Sequence, residues 1–143
     1  LSLHDALPIL DIATGQVELL NHHSIMECGN LIVPELVSGQ LQGGLAMGIG
    51  HALHEYLPLY EDGPGNGTWN FNRYHLPRAS DVAVWKQSGD ILPALSETDP
   101  PKGMAEVVMI PIVAALVNAI ADATGHRFRD LPVRAENIRE VLQ

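Results

Sequence analysis

Polar and apolar residues mix along one early stretch of the chain, and two later stretches carry apolar residues at helical spacing. Val17-Glu18-Leu19-Leu20 and the mixed run Asn21 to Glu27 predict half-buried strand, entered through the turn Asp11-Ile12-Ala13-Thr14-Gly15-Gln16. Cys28-Gly29-Asn30 breaks that strand. Pro34-Glu35 then opens a helix, with proline near the first turn and an acid at the positive helix end. The pattern extends this helix from Glu35 to about Tyr56. A second helix is predicted from Val107 to Thr124, closed by Gly125, and an amphipathic one from Ala135 to Leu142 after Leu131-Pro132-Val133. Between the two long helices, Glu61 to Gly67 reads as loop. Trp69 to Tyr74 and Asp81 to Trp85 read as short strands, and Ile91-Leu92-Pro93 as an edge piece. The elements sum to an α+β fold, a mixed sheet with packed helices.

The first helix is rich in glycine: Gly39, Gly43, Gly44, Gly48 and Gly50. Each interior glycine costs roughly 1 kcal/mol against alanine, so close approach of a backbone or of a ligand is expected to compensate. Gly44 and Gly48 share a face. A dinucleotide-binding reading is poor, because the glycine order is wrong and no strand-turn precedes it.

Leu1 to Ile9 match the translation of a common short-read sequencing adapter. They are set aside from fold reasoning, leaving Leu10 to Gln143 as the informative portion, expected to be part of a longer protein. An apolar face left exposed by truncation, and self-association of the isolated chain, are expected with it.

At 143 residues, 46% hydrophobic and 17% charged, the chain is long enough for one domain with a core. A formal charge of −9 argues against nucleic acid as partner. Arg127, Arg129, Arg134 and Arg139 interleave with Asp130, Glu136 and Glu140 as a solvated face would. Cys28 is the single cysteine, which leaves no disulfide framework or thiolate cluster and reads as a small packed residue. No apolar run approaching the roughly 18 residues of a membrane span is expected. The longest candidate, Val107 to Ile120, carries Pro111 and Asn118. Residues His51, His54 and Glu55 have neither zincin spacing and read as a polar helix face. Residues His22 and His23 lie on a strand and point to opposite faces, which argues against joint metal ligation.

The most informative stretch is Pro100-Pro101-Lys102-Gly103-Met104-Ala105-Glu106, a proline- and glycine-bearing loop that delivers one carboxylate to the mouth of the second long helix. Taken alone, Glu106 also suits the helix macrodipole, a contribution of about 0.3–1 kcal/mol. Lys102 would pair with a phosphate, another acid or solvent.

Several separated segments, in order, resemble the C-terminal part of the molybdopterin-binding large subunit of the xanthine dehydrogenase and aldehyde oxidase family, the molybdenum hydroxylases. Glu27-Cys28-Gly29-Asn30-Leu31-Ile32-Val33-Pro34 resembles that family's Asp-Cys-Gly-x-x-Ile-Asn-Pro. Gly39-Gln40-Leu41-Gln42-Gly43-Gly44 with Gly48-Ile49-Gly50 resembles its glycine-rich helix, and Tyr74 to Asp81 its Tyr-x-x-Pro-x-x-x-Asp. Lys102 to Glu106 resembles its Lys-Gly-x-x-Glu loop, and Asp130-Leu131-Pro132 completes the order. Three positions depart: Glu27 for aspartate, Val33 for asparagine, and Met47 where glutamine often stands. A thioether is a weak acceptor and no donor, so the cofactor contact at Met47 would be lost.

The resemblance implies an oxidoreductase that hydroxylates an aldehyde or N-heterocycle with water as oxygen source. Glu106 would be the general base; Gln40, Lys102, Gly103, Met104 and Ala105 would contact the cofactor, and no side chain would ligate the metal. Implied cofactors are molybdenum-molybdopterin, as the cytosine dinucleotide in a bacterial protein, with iron–sulfur clusters and FAD on partner domains or subunits. No transmembrane segment is implied, and the cytoplasm is the expected location, with the periplasm as alternative. Carbon monoxide oxidation by a related enzyme has its distinguishing loop outside this chain. The competing class is a non-catalytic binding or assembly domain of the same fold.

Overall fold

The computed structural model describes residues 2–58, 70–82 and 85–143. Two long strands, β1 (Ser2–Leu10) and β2 (Val17–Glu27), form an antiparallel pair, and β3 (Lys86–Leu92) joins the far side of β2 in parallel. The sheet is therefore mixed. The turn between β1 and β2 is built by Asp11, whose Oδ1 accepts the Ala13 N–H at 2.8 Å, and by Gly15 at φ +72°. The amide of Gly15 closes the loop on the Asp11 carbonyl at 2.7 Å. Residues set aside as adapter-encoded supply nearly all of β1. They pair with β2 through backbone groups, and Ala6 among them packs against the core. A register irregularity falls between Leu7 and Pro8, where proline lacks the ladder donor.

Alternation along the second half of β2 sorts its side chains. His22, Ser24 and Met26 are buried, while His23 on the opposite face is half-buried, as the two-residue period requires. Leu19 is buried too, but it lies beyond Leu20, which the register of the pair skips. The first long helix appears in three pieces that run on from one another. A 3-10 turn (Pro34–Leu36) leads into α1 (Val37–Ile49), and a π-helical turn (Gly50–His54) ends it. The helix ends at His54, two residues before the expected end, and the chain becomes extended at Glu55.

Two strand expectations fail. Residues 70–74 form a turn, organised by the Asn70 carbonyl, which accepts the N–H of Arg73 and of Tyr74 at 2.9 Å, and by Asn70 Oδ1 on the Asn72 N–H. Local side-chain bonding of this kind competes with strand pairing. Asp81 likewise accepts the Arg78 N–H at 2.8 Å and opens a helical turn, α2 (Ala79–Val82), instead of a strand. The loop Glu61 to Gly67 lies outside the described residues, as do Trp69, Ala83 and Val84. The edge piece is real and longer than expected: it is β3.

A 3-10 turn (Glu106–Val108) starts α3 (Met109–Thr124), with Pro111 in the first turn, where its missing N–H is spare. Gly125 at φ +70° ends it. The helical stretch Glu106–Thr124 has 19 residues and a mean hydropathy of 2.0, so a run long and apolar enough to cross a membrane does exist, contrary to expectation. Pro111 and Asn118 do not shorten it, because neither interrupts the helix. Here it packs on β1 and α1, burying Val108, Ile112, Leu116 and Ile120. These residues form the core with Leu41, Leu45, Ile49, Met26, Cys28, Val133 and Ile138. The last element, α4 (Ala135–Leu142), matches its expected span and buries Ile138. Its start is tied down by the Val133 N–H on the Ala52 carbonyl at 2.7 Å and by the Arg134 guanidinium, 4.7 Å over the Tyr56 ring.

Candidate active site

The Glu106 loop is laced to the end of β2 by four successive residues. Asn30 donates from its side-chain amide to the carbonyls of Ser96, Glu97 and Asp99 at 3.0, 3.1 and 2.7 Å. Gly29, at φ +63°, lies so close to Pro100 that an added Cβ would stand 2.1 Å from the Pro100 carbonyl oxygen. The Lys102 N–H donates to the Cys28 carbonyl at 2.8 Å. Glu27 accepts the Gly29 N–H at 2.8 Å on one oxygen and the Lys102 ammonium on the other. The Lys102 hydrogen bond, seconded by the Gly29 N–H, holds the Glu27 carboxyl below its ordinary range, and Glu27 raises the Lys102 ammonium in return. Cys28 is buried, and that burial raises its thiol, with the Glu27 charge adding to the effect.

The loop has internal order as well. Asp99 accepts the N–H of Leu95 and Ser96 and the Ser96 hydroxyl, and its own N–H donates to the Ser96 carbonyl at 3.2 Å, which closes the turn. The Ser96 hydroxyl and N–H hold the Asp99 carboxyl below its ordinary range. Met104 packs half-buried against the core. Past it, Ala105 and Glu106 are exposed where the 3-10 turn begins.

Packing of α1 on α3 fixes what lies beside that turn. An added Cβ on Gly44 would stand 2.4 Å from Val108 Cβ, and one on Gly48 2.6 Å from Ile112 Cγ2. Glycine is required at both, because the helices touch there. Both contacts advance four residues in the same direction, so α1 and α3 run parallel along this seam. Gln40, one turn before Gly44, and Glu106, two residues before Val108, are therefore carried toward the same end. The other face of α1 presents Gln40, Gly43 and Met47 at helical spacing, all exposed, with nothing within 4 Å of a Cβ on Gly39 or Gly43. The glycines thus divide: two serve packing, two leave open backbone.

A second lacing holds the 70–82 segment. The Tyr74 hydroxyl donates to Glu55, which raises the Tyr74 phenol, and Pro77 abuts Gly50 of the π turn. His54, beside it, is held below the ordinary imidazole range by desolvation and by His75, against the pull of Asp81 and Glu55. Among the described residues no three of His, Cys, Asp and Glu converge as a metal-binding group.

Residues 9–83 match a family model, the molybdopterin cofactor-binding domain. The chain belongs to that family. This molybdopterin-binding chain is 31% identical over 138 residues to the nicotine 6-hydroxylase large subunit of Paenarthrobacter nicotinovorans, covering 94% of itself and 17% of that protein. Among solved structures it superposes on quinoline 2-oxidoreductase from Pseudomonas putida 86 with a TM-score of 0.83 at 29% identity, covering 98% of itself and 18% of that chain. The aldehyde oxidoreductase of Desulfovibrio desulfuricans gives 0.83 at 26% identity, with 99% and 15% covered. The chain thus spans less than a fifth of each of these relatives.

The residues present fit a molybdopterin group. A Cβ on Gly103 would meet nothing within 4 Å, so the loop backbone lies open to a large planar ligand. Gln40 is exposed near the same end of the seam, with an amide that both donates and accepts. Neither 3-10 turn, 34–36 or 106–108, has a side-chain cap. Of the residues expected to contact the cofactor, Gln40, Gly103 and Ala105 are exposed, Met104 is turned into the core, and the Lys102 ammonium is taken by Glu27. Sequence reasoning missed the anchoring roles of Gly29 and Asn30; the glycine-asparagine break after β2 was the only available signal.

Proposed function

We propose that this chain carries the general base of a molybdenum hydroxylase large subunit, acting in the oxidative hydroxylation of an aldehyde or N-heterocycle. The observation that carries this reading is the placement of Glu106. It is an exposed carboxylate at the start of a helix, on a loop fastened to β2 by Glu27, Cys28, Gly29 and Asn30, beside open backbone at Gly103. Two relatives support it, a nicotine 6-hydroxylase large subunit and an aldehyde oxidoreductase.

When bound, the molybdenum–pterin group supplies a two-electron acceptor and activates water for attack on an electron-poor carbon. Glu106 would take a proton from the water so activated, the task of a general base within about 3 Å of it. Gln40 and the backbone of Gly103 to Ala105 hold the pterin. Rigid tethering of the loop keeps the carboxylate in reach of its proton, since small misplacements are costly in rate. The cytosine dinucleotide form of the cofactor, iron–sulfur and FAD partners, and a cytoplasmic location belong to the same proposal.

Replacing Glu106 by Gln in the full-length protein is expected to lower turnover about 10²- to 10⁴-fold, with thermal unfolding and molybdenum content unchanged. Near-normal turnover would overturn the assignment and leave the non-catalytic assembly reading.

A further inference from the structure

The ammonium of Lys102 and the carboxylate of Glu27 face each other across a sequence separation of 75 residues. We propose that Lys102 is a positioning residue, the latch that closes the Glu106 loop onto Glu27, and not a contact to the cofactor. The inference rests on the reading of Glu106 as base and adds what sets the geometry of its loop.

Two observations converge. First, both oxygens of Glu27 are engaged. One oxygen takes the Gly29 N–H within its own turn, and the other takes the Lys102 ammonium. Its side chain is 22% exposed, against 55% for Lys102, so the better-held partner is the acid and the lysine reaches to it. Second, the latch is continuous with backbone contacts. The Lys102 N–H sits on the Cys28 carbonyl, and Gly29 abuts Pro100, so side chain and main chain of Lys102 both grip the same turn. A loop held at 96–99 by Asn30 and at 102 by Glu27 leaves four residues to Glu106, and Met104 among them is packed on the core. Little freedom remains for the backbone that carries Glu106.

The test is a double-mutant cycle on the full-length protein: Glu27→Gln, Lys102→Met, and both together. Amide exchange at Lys102 and Gly103 is followed in cofactor-free protein, and molybdenum content, kcat and KM in loaded protein. A latch predicts that each single variant speeds exchange about two- to fivefold, the scale of a partly exposed ion pair. The double variant should be no worse than either single one. Molybdenum content stays level, kcat falls in the same pattern with KM unchanged, and Lys102→Arg restores both exchange and kcat. A cofactor contact predicts otherwise: Lys102→Met sheds molybdenum while Glu27→Gln is silent in every readout, and that result overturns the proposal. Multiplying effects in the double variant would also overturn it. Glu106→Gln, run in parallel, separates the two claims. It should lower turnover about 10²- to 10⁴-fold without altering exchange at Lys102; normal turnover in that variant would remove the base but leave the exchange cycle to decide the latch.

Discussion

The α1–α3 seam and the Glu106 loop lie side by side and are held together in opposite ways. At the seam, two missing side chains on α1 let Val108 and Ile112 press against the helix backbone, and its stability comes from close packing. In the loop, order comes from directed polar contacts: one amide on three carbonyls, one carboxylate on an N–H and an ammonium, one carbonyl on the Lys102 amide. Apolar packing is indifferent to pH and sets where α3 starts. Polar lacing is directional and sets the path of the loop backbone that leads to Glu106. A site that needs one carboxylate at one place uses the first as foundation and the second as fine adjustment.

The contrast can be broken in order of expected effect. Ile112→Ala removes the residue that fills the Gly48 gap and should destabilise the chain by about 2–5 kcal/mol in denaturant unfolding. Adding Gly48→Ala to that variant should recover part of the loss, since the new methyl enters the space vacated; strict additivity would mean the two residues do not share the seam. Gly44→Ala alone should cost about 1–3 kcal/mol by overpacking against Val108. Gly43→Ala, one residue away on the open face, should instead stabilise α1 by up to about 1 kcal/mol through helix propensity. A loss at Gly43 equal to that at Gly44 would erase the distinction between the two faces.

The smallest effect concerns pH and separates lacing from packing. Glu27 has its carboxyl depressed below the ordinary value of 4.5, so its contribution to the latch is complete above that value and fades as pH falls through the lower folded one. Lys102 is raised above 10.5, so its contribution is complete below that and fades as pH rises through the higher folded value. Amide exchange at Lys102, corrected for intrinsic rate, should stay level between these limits and quicken beyond either. The Ile112 and Leu116 amides should show no such dependence.

Apolar exposure beside the loop also distinguishes the regions. Ile32, Leu36, Leu95 and Ile110 are 79%, 63%, 96% and 65% exposed, and they neighbour the lacing residues and Glu106 in sequence. An apolar surface of this kind is the basis for expecting the isolated chain to self-associate.

Much of this molecule is legible from local pattern. The Asp11–Gln16 turn, α3 with its glycine terminator Gly125, and α4 each depend on interactions within a few residues, and each forms as expected. Identity as a molybdopterin-binding chain is legible too, because motif order survives in the sequence. Trp69–Tyr74 and Asp81–Trp85 look like strands in sequence, yet Asn70 and Asp81 bond to nearby backbone and win over alternation. The length and apolarity of α3 exceed the expectation because Pro111 and Asn118, which resemble interruptions in the sequence, are both accommodated within the helix. What only tertiary structure decided were matters of partnership. Glycines of one helix look alike in sequence, yet Gly44 and Gly48 meet α3 while Gly39 and Gly43 meet nothing. Glu27 and Lys102 are ordinary charges until the fold sets them against each other. Local preference acts through neighbours in the chain, whereas contact energy acts through neighbours in space, and only the folded chain determines which distant residues those are.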